Sequence, residues 1–228
     1  MQSTRAFSFR PTMLLALVGS IAALALLGRP AEAHDHMRHA ASQQSASASE
    51  LALRLEMRRL WEDHVSWTRL AIISLTTDAP DTQATVGRLL RNQTDLGNAI
   101  KPFYGAAAGK QLTALLREHI LIAADVIAAA KKGDPAALAT EQARWNRNAD
   151  QIAAFLSKAN PANWKPAAMQ SMMRAHLALT TAEVVARLKR DWAADVRTYD
   201  RTHRQMLQMA DMLSDGLVAQ FPGRFQQR

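Results

Sequence analysis

The sequence predicts an all-α fold of about six helices, arranged as three αα-hairpins in an up-down helical bundle behind a signal peptide and a disordered arm. Three observations carry that expectation. Apolar residues recur at steps of three and four along nearly the whole chain after residue 50, and no stretch alternates as a half-buried strand would. The periodic stretches are separated by turn chemistry at Asp78-Ala79-Pro80-Asp81, Lys101-Pro102-Phe103-Tyr104-Gly105, Gly133-Asp134-Pro135 and Asn160-Pro161. The chain contains no cysteine, so packing alone must hold it.

The first 33 residues have the order of an export signal. Arg5 and Arg10 precede an apolar run from Met13 to Gly28, which is followed by the small-residue sequence Ala31-Glu32-Ala33. The run falls short of the roughly 20 residues that span a bilayer core, so cleavage after Ala33 is expected, with a retained membrane anchor as the alternative. Cleavage predicts a periplasmic or secreted protein without a transmembrane segment. Residues 34–49 are rich in Ala, Ser, Gln and His and lack a hydrophobic period, which predicts a flexible arm. Residues 50–228 form one expected domain.

The first helix is expected over about 50–77, with Leu53, Met57, Leu60, Trp61, Trp67, Ile72 and Leu75 on its apolar side. A second is expected over about 82–100 and a third over about 111–132. Gly133, Asp134 and Pro135 then supply a C-terminal glycine, an N-cap and a first-turn proline for a fourth that reaches about residue 158. The fifth spans about 167–189 and passes a weaker break, or a kink, at Arg190-Asp191 into a sixth that ends at Phe221-Pro222.

A weak internal repeat runs through these segments. Leu60-Trp61 precede His64, Leu115-Leu116 precede His119, and Met172-Met173 precede His176 at the same offsets, spaced 55 and 57 residues apart. Each of these helices is followed by a turn and a second helix, which suggests three hairpins in series. Chance is the competing explanation, because large apolar pairs are common in helices.

The function classes narrow by exclusion. There is no glycine-rich phosphate loop, nucleophile elbow, dinucleotide fingerprint or cysteine nucleophile, and Glu62 and Asp63 point in different directions from one helix. The formal charge is +8; loss of three arginines and one glutamate with residues 1–33 leaves +6. The cations are interleaved with acids rather than gathered into a stripe, so no nucleic-acid partner is expected.

What remains is histidine. On the helical period His64, His119, His176 and His203 all fall on apolar stripes, the last behind Trp192, Val196 and Tyr199. A buried imidazole needs partners for its nitrogens. Asn92, Asn148, Glu183 and Asp200 are the candidates within helical reach. The two explanations are four separately satisfied core histidines, or a shared site, since bundles build metal centres from inward side chains on facing helices. No metal-ligand spacing motif such as H-E-x-x-H is present. Cleavage after Ala33 would also leave His34-Asp35-His36, whose amine, backbone amides and third-position imidazole suit square-planar Cu(II); a polar arm with incidental histidines is the alternative.

These residues make transition-metal binding, copper or zinc, the leading expectation, with His34, His36, His64, His119, His176 and His203 as candidate ligands. Its rivals are a metal-free structural or interaction module of the cell envelope and a metal-dependent enzyme. Six methionines on the last two helices, Met169, Met172, Met173, Met206, Met209 and Met212, are thioether donors for Cu(I) or ordinary core filler.

Four segments, namely residues 60–69, 88–92, 145–150 and 209–213, resemble an uncharacterised family of small exported bacterial all-helical proteins, and the resemblance covers about residues 55–225. Some members of that family carry the labels glycosyltransferase or acetylglutamate kinase. The resemblance implies the helical fold and supplies no catalytic residue or cofactor.

Overall fold

The protein is described from a computed structural model that covers residues 46–226. The expected signal segment and nearly all of the expected arm, with His34 and His36, lie outside the described residues.

Five helices follow one another: α1 (Ala48–Thr77), α2 (Thr82–Lys132), α3 (Pro135–Ala159), α4 (Pro166–Leu188) and α5 (Trp192–Gln220), closed by a 3-10 turn over Pro222–Arg224. No strand occurs among the described residues. Helix α1 begins two residues inside the expected arm because Ser47 caps it, its hydroxyl accepting from Glu50 N at 3.2 Å. Its C-terminus is stopped by Asp78 in the left-handed region (φ 52). Asp134 caps α3 by accepting from Ala136 N and Ala137 N, directly after Gly133 ends α2 at φ 66. The break at Arg190-Asp191 is a true helix end, with Arg190 at φ 58 and Asp191 capping α5 through Ala194 N.

Five elements stand where six helices were expected, because α2 joins the second and third of them across a break. The stretches expected as second and third helices meet without a loop, helical turns running up to a single non-helical residue, Gly105 (φ 83, ψ 170), from both sides. That conformation is open to glycine and almost nothing else. Its effect is large. A Cβ on Gly97 would lie 2.6 Å from Gly109 O and 1.9 Å from Thr113 Oγ1. Twelve residues of straight helix would separate those glycines by about 18 Å, so the two limbs of α2 fold back against each other.

Consecutive helices pack as neighbours, and α5 returns to pack along α1. The main core runs between them and includes Leu60, Ile122, Ile152, Trp164, Met169, Met206 and Leu217, all 2% exposed or less. A buried ionic network ties α1, α4 and α5 together. Arg69 binds Asp195 through both terminal nitrogens and Glu183 at 2.8 Å, while Arg187 reaches Asp195 at 3.0 Å. No helix among the described residues is long and apolar enough to cross a membrane.

Candidate functional site, three interior histidines

The three histidines at equivalent places in the sequence repeat meet in the middle of the bundle. His64 comes from α1, His119 from the second limb of α2, and His176 from α4. Their exposures are 3%, 3% and 4%. The rings of His64 and His176 are 5.9 Å apart between centroids, and those of His119 and His176 are also 5.9 Å apart. Trp61 meets the His64 ring edge-on at 5.4 Å, and Trp145 lies 5.3 Å from His119.

Each imidazole is met by an amide 29 residues later. His119 Nδ1 and Asn148 Oδ1 are 2.8 Å apart, and Asn148 Nδ2 donates back to Leu115 O at 3.2 Å. His64 Nδ1 is 3.3 Å from Gln93 Nε2, while the adjacent Asn92 Nδ2 donates to Leu60 O at 2.9 Å. Gln205 lies beside His176 and donates to Met172 O at 3.3 Å. Leu60, Leu115 and Met172 each stand four residues before their histidine. One pattern therefore recurs three times: amides on the following helix clamp the first carbonyl of a turn and approach the imidazole that closes it, a single residue doing both at Asn148 and Gln205 and the pair Asn92 and Gln93 dividing the work at His64.

The bond to Asn148 sets the tautomer of His119. With Asn148 Nδ2 turned to Leu115 O, Asn148 Oδ1 accepts from His119 Nδ1, which leaves the lone pair of His119 on Nε2. That Nε2 is buried without a partner among the described residues, as is His176 Nδ1. Gln93 Nε2 lies 2.9 Å from Leu89 O, 3.1 Å from Asn92 Oδ1 and 3.3 Å from His64 Nδ1, so its two hydrogens are shared among three neighbours and the contact to His64 is the longest. Burial is the largest influence on all three rings and disfavours the charged form. It pushes His64 down to about 4, helped by the charge His119 would carry, and His119 down to about 4 against the bond to Asn148. His176 is held well below the ordinary histidine value, by burial first and then by its two imidazole neighbours. Three neutral imidazoles result, the form that can bind a metal.

The triad borders a cavity of about 40 Å³ at the centre of the bundle. The same threefold pattern lines it: Leu96, Ile152 and Met209 sit three or four residues beyond the clamping amides, and Ile100, Leu156 and Leu213 one turn further. No carboxylate lines it. Nor do three His, Asp or Glu side chains converge on a single point among the described residues, so the rings are neighbours without forming a finished ligand set.

The remaining candidates fall elsewhere. His203 is not a core residue: its side chain is 31% exposed, and Nε2 pairs with Glu62 at 2.7 Å on the rim of α1 and α5. The sequence argument set His203 in line with Trp192 and Val196, but both of these are 52% exposed. The buried stripe of α5 instead runs through Asp195, Thr198, Thr202, Met206, Met209, Leu213 and Leu217. Of the expected partners, Asn148 serves His119, whereas Glu183 belongs to Arg69. Gln93, Gln205 and Glu62 were missed. The 29-residue interval was a legible signal once the histidine repeat had been noticed.

No family model, curated protein or solved structure matches the chain.

Proposed function

We propose that this protein is an exported bundle of three αα-hairpins in series, α1 with the first limb of α2, the second limb with α3, and α4 with α5, whose shared interior binds a transition metal, copper or zinc, through His64, His119 and His176. His34 and His36 form a separate chelating site at a mature N-terminus created by cleavage after Ala33. The protein acts as a metal-binding component of the periplasm or the secreted fraction.

The observation that carries this reading is the convergence of three repeat-related imidazoles on one apolar cavity, with ring nitrogens of His119 and His176 left unpartnered. A buried polar atom without a partner costs about 1–3 kcal/mol, and His119 Nε2 and His176 Nδ1 are two such atoms on neighbouring rings. Outer-shell hydrogen bonds such as Asn148 Oδ1 to His119 Nδ1 are the usual support of a metal-binding imidazole. Closing the ligand set requires the rings to rotate, since they do not yet face one point.

The rival is a metal-free module in which the histidines only pack. It is favoured by the partners that His64, His119 and His203 already have. Titration of Cu(II) and Zn(II) into the full chain separates the two. Binding of one equivalent that persists with His34→Ala and His36→Ala but is lost with His119→Leu supports the interior site. Binding lost with the N-terminal substitutions alone assigns it to the arm, and no binding at micromolar metal ends the metal reading.

A further inference from the structure

The interior cavity contains a second kind of donor. Met57, Met173 and Met209 line it together with His64, His119 and His176, so three methionine and three histidine side chains border one space. We propose that the resident ion is Cu(I), held by His119 and His176 with a methionine thioether from Met173 or Met209 completing the set. This rests on the interior metal reading above and specifies its ion.

Charge argues first. Every donor around the cavity is neutral, and no carboxylate or cysteine is present to offset an ion. The cost of transferring an ion into a low-dielectric interior rises with the square of its charge, so a divalent ion is penalised about four times as heavily as a monovalent one. Zinc reduces that penalty with anionic ligands or a bound water, but an apolar cavity is poorly suited to holding water. Thioethers add nothing to a zinc site, whereas they are soft donors that select Cu(I).

Geometry argues second. Two imidazoles sharing an ion about 2 Å from each nitrogen have ring centroids about 5–6 Å apart, and His119 and His176 are 5.9 Å apart. Each of these two rings also has a nitrogen, His119 Nε2 and His176 Nδ1, that is buried without a hydrogen-bond partner among the described residues. Zinc prefers four ligands in a tetrahedron, for which no converged set of three exists among the described residues. A soft monovalent ion needs only the pair and one sulfur. His64, whose Nδ1 already lies 3.3 Å from Gln93 Nε2, is left as a neighbour of the ion rather than a primary ligand.

The test uses the full chain carrying His34→Ala, His36→Ala and His39→Ala, so that the N-terminal donors are silent. Cu(I) is titrated anaerobically against a chromophoric Cu(I) chelator, with Zn(II) in parallel, and the copper-loaded protein is examined by X-ray absorption. The expected result is one Cu(I) per chain with both nitrogen and sulfur scatterers. His119→Leu and His176→Leu should each weaken Cu(I) binding by about 100-fold. The double variant Met173→Leu, Met209→Leu should weaken it by about tenfold and leave Zn(II) unchanged. Leucine conserves methionine's volume, so these chains should keep their helicity; if the double variant does not fold, the sulfur scatterer in the parent decides. Cu(I) bound through nitrogen alone, or Zn(II) bound at the histidines in preference to Cu(I), overturns this inference and leaves the metal-binding reading standing. Binding of neither ion, or binding indifferent to both histidine substitutions, overturns both.

Discussion

His64 and His119 carry a cost that the fold absorbs while the solution stays near neutrality. In an unfolded chain an imidazole titrates near 6.5, whereas these two are pushed down to about 4, chiefly by burial. The folded state therefore binds fewer protons than the unfolded one between those values. Stability is at its full value above pH 6.5 and is lost as pH falls towards 4, by an amount on the order of 3 kcal/mol per imidazole. Urea unfolding of metal-free protein at steps from pH 7.5 to 4 should show this decline. Substitution of His119 by leucine should flatten it, and a profile unchanged by that substitution would refute the assignment. The ionic network titrates in another window. Burial alone would raise Asp195, but the bonds from Arg69 and Arg187 outweigh it and hold the carboxyl below its ordinary value. Its contribution is lost only in stronger acid. Asp195→Asn strips two guanidinium groups of their main acceptor and should cost about 2–4 kcal/mol, read as a lower urea midpoint.

At the scale of the helices, two glycines decide how α2 is used. Gly97 lets its limb approach Gly109 and Thr113 so closely that one added methyl group has no room. Gly97→Ala would bring about 1 kcal/mol of helix propensity, but the overpacking it forces costs about 1–3 kcal/mol. Net destabilisation is expected, with a lowered thermal midpoint. Gly105→Ala places a side chain at φ 83 and should cost about 1–3 kcal/mol through backbone strain, although nothing crowds that position. Equal stability of either variant and the parent would show that the reversal does not depend on glycine. Helix ends were legible in the sequence where caps and breakers coincide, as at Gly133-Asp134-Pro135 and Asn160-Pro161. The turn at Gly105 was legible as a break, but the persistence of helical hydrogen bonding up to it was not. The stripe of α5 was misjudged for a different reason: Trp192 and Val196 are apolar residues left at the surface, Trp192 beneath Arg187 at 5.0 Å, and periodicity alone cannot separate such residues from core.

For the whole molecule, an ion bound only to the folded state must raise its stability by mass action. At one hundred times the dissociation constant the gain is about 2.7 kcal/mol, which in a domain of this size moves the thermal midpoint by roughly 5–10 °C. Addition of Cu(I) to the full chain should show that shift, and it should vanish with His176→Leu. The amino-acid sequence by itself determined that the chain is helical, that its histidine helices carry a repeated pattern, and that it contains no cysteine, glycine-rich phosphate loop or nucleophile-elbow motif. Those properties are local, since they depend on periodicity, capping and residue type. Tertiary structure decided which histidines meet. His64, His119 and His176 are 55 and 57 residues apart, and only the folding back of each helix pair, clamped by Asn92, Asn148 and Gln205, brings the His64 and His119 rings each to 5.9 Å from that of His176. His203 has an equally apolar local pattern and was turned instead to Glu62 at the rim, because the face a helix buries is chosen by its neighbours.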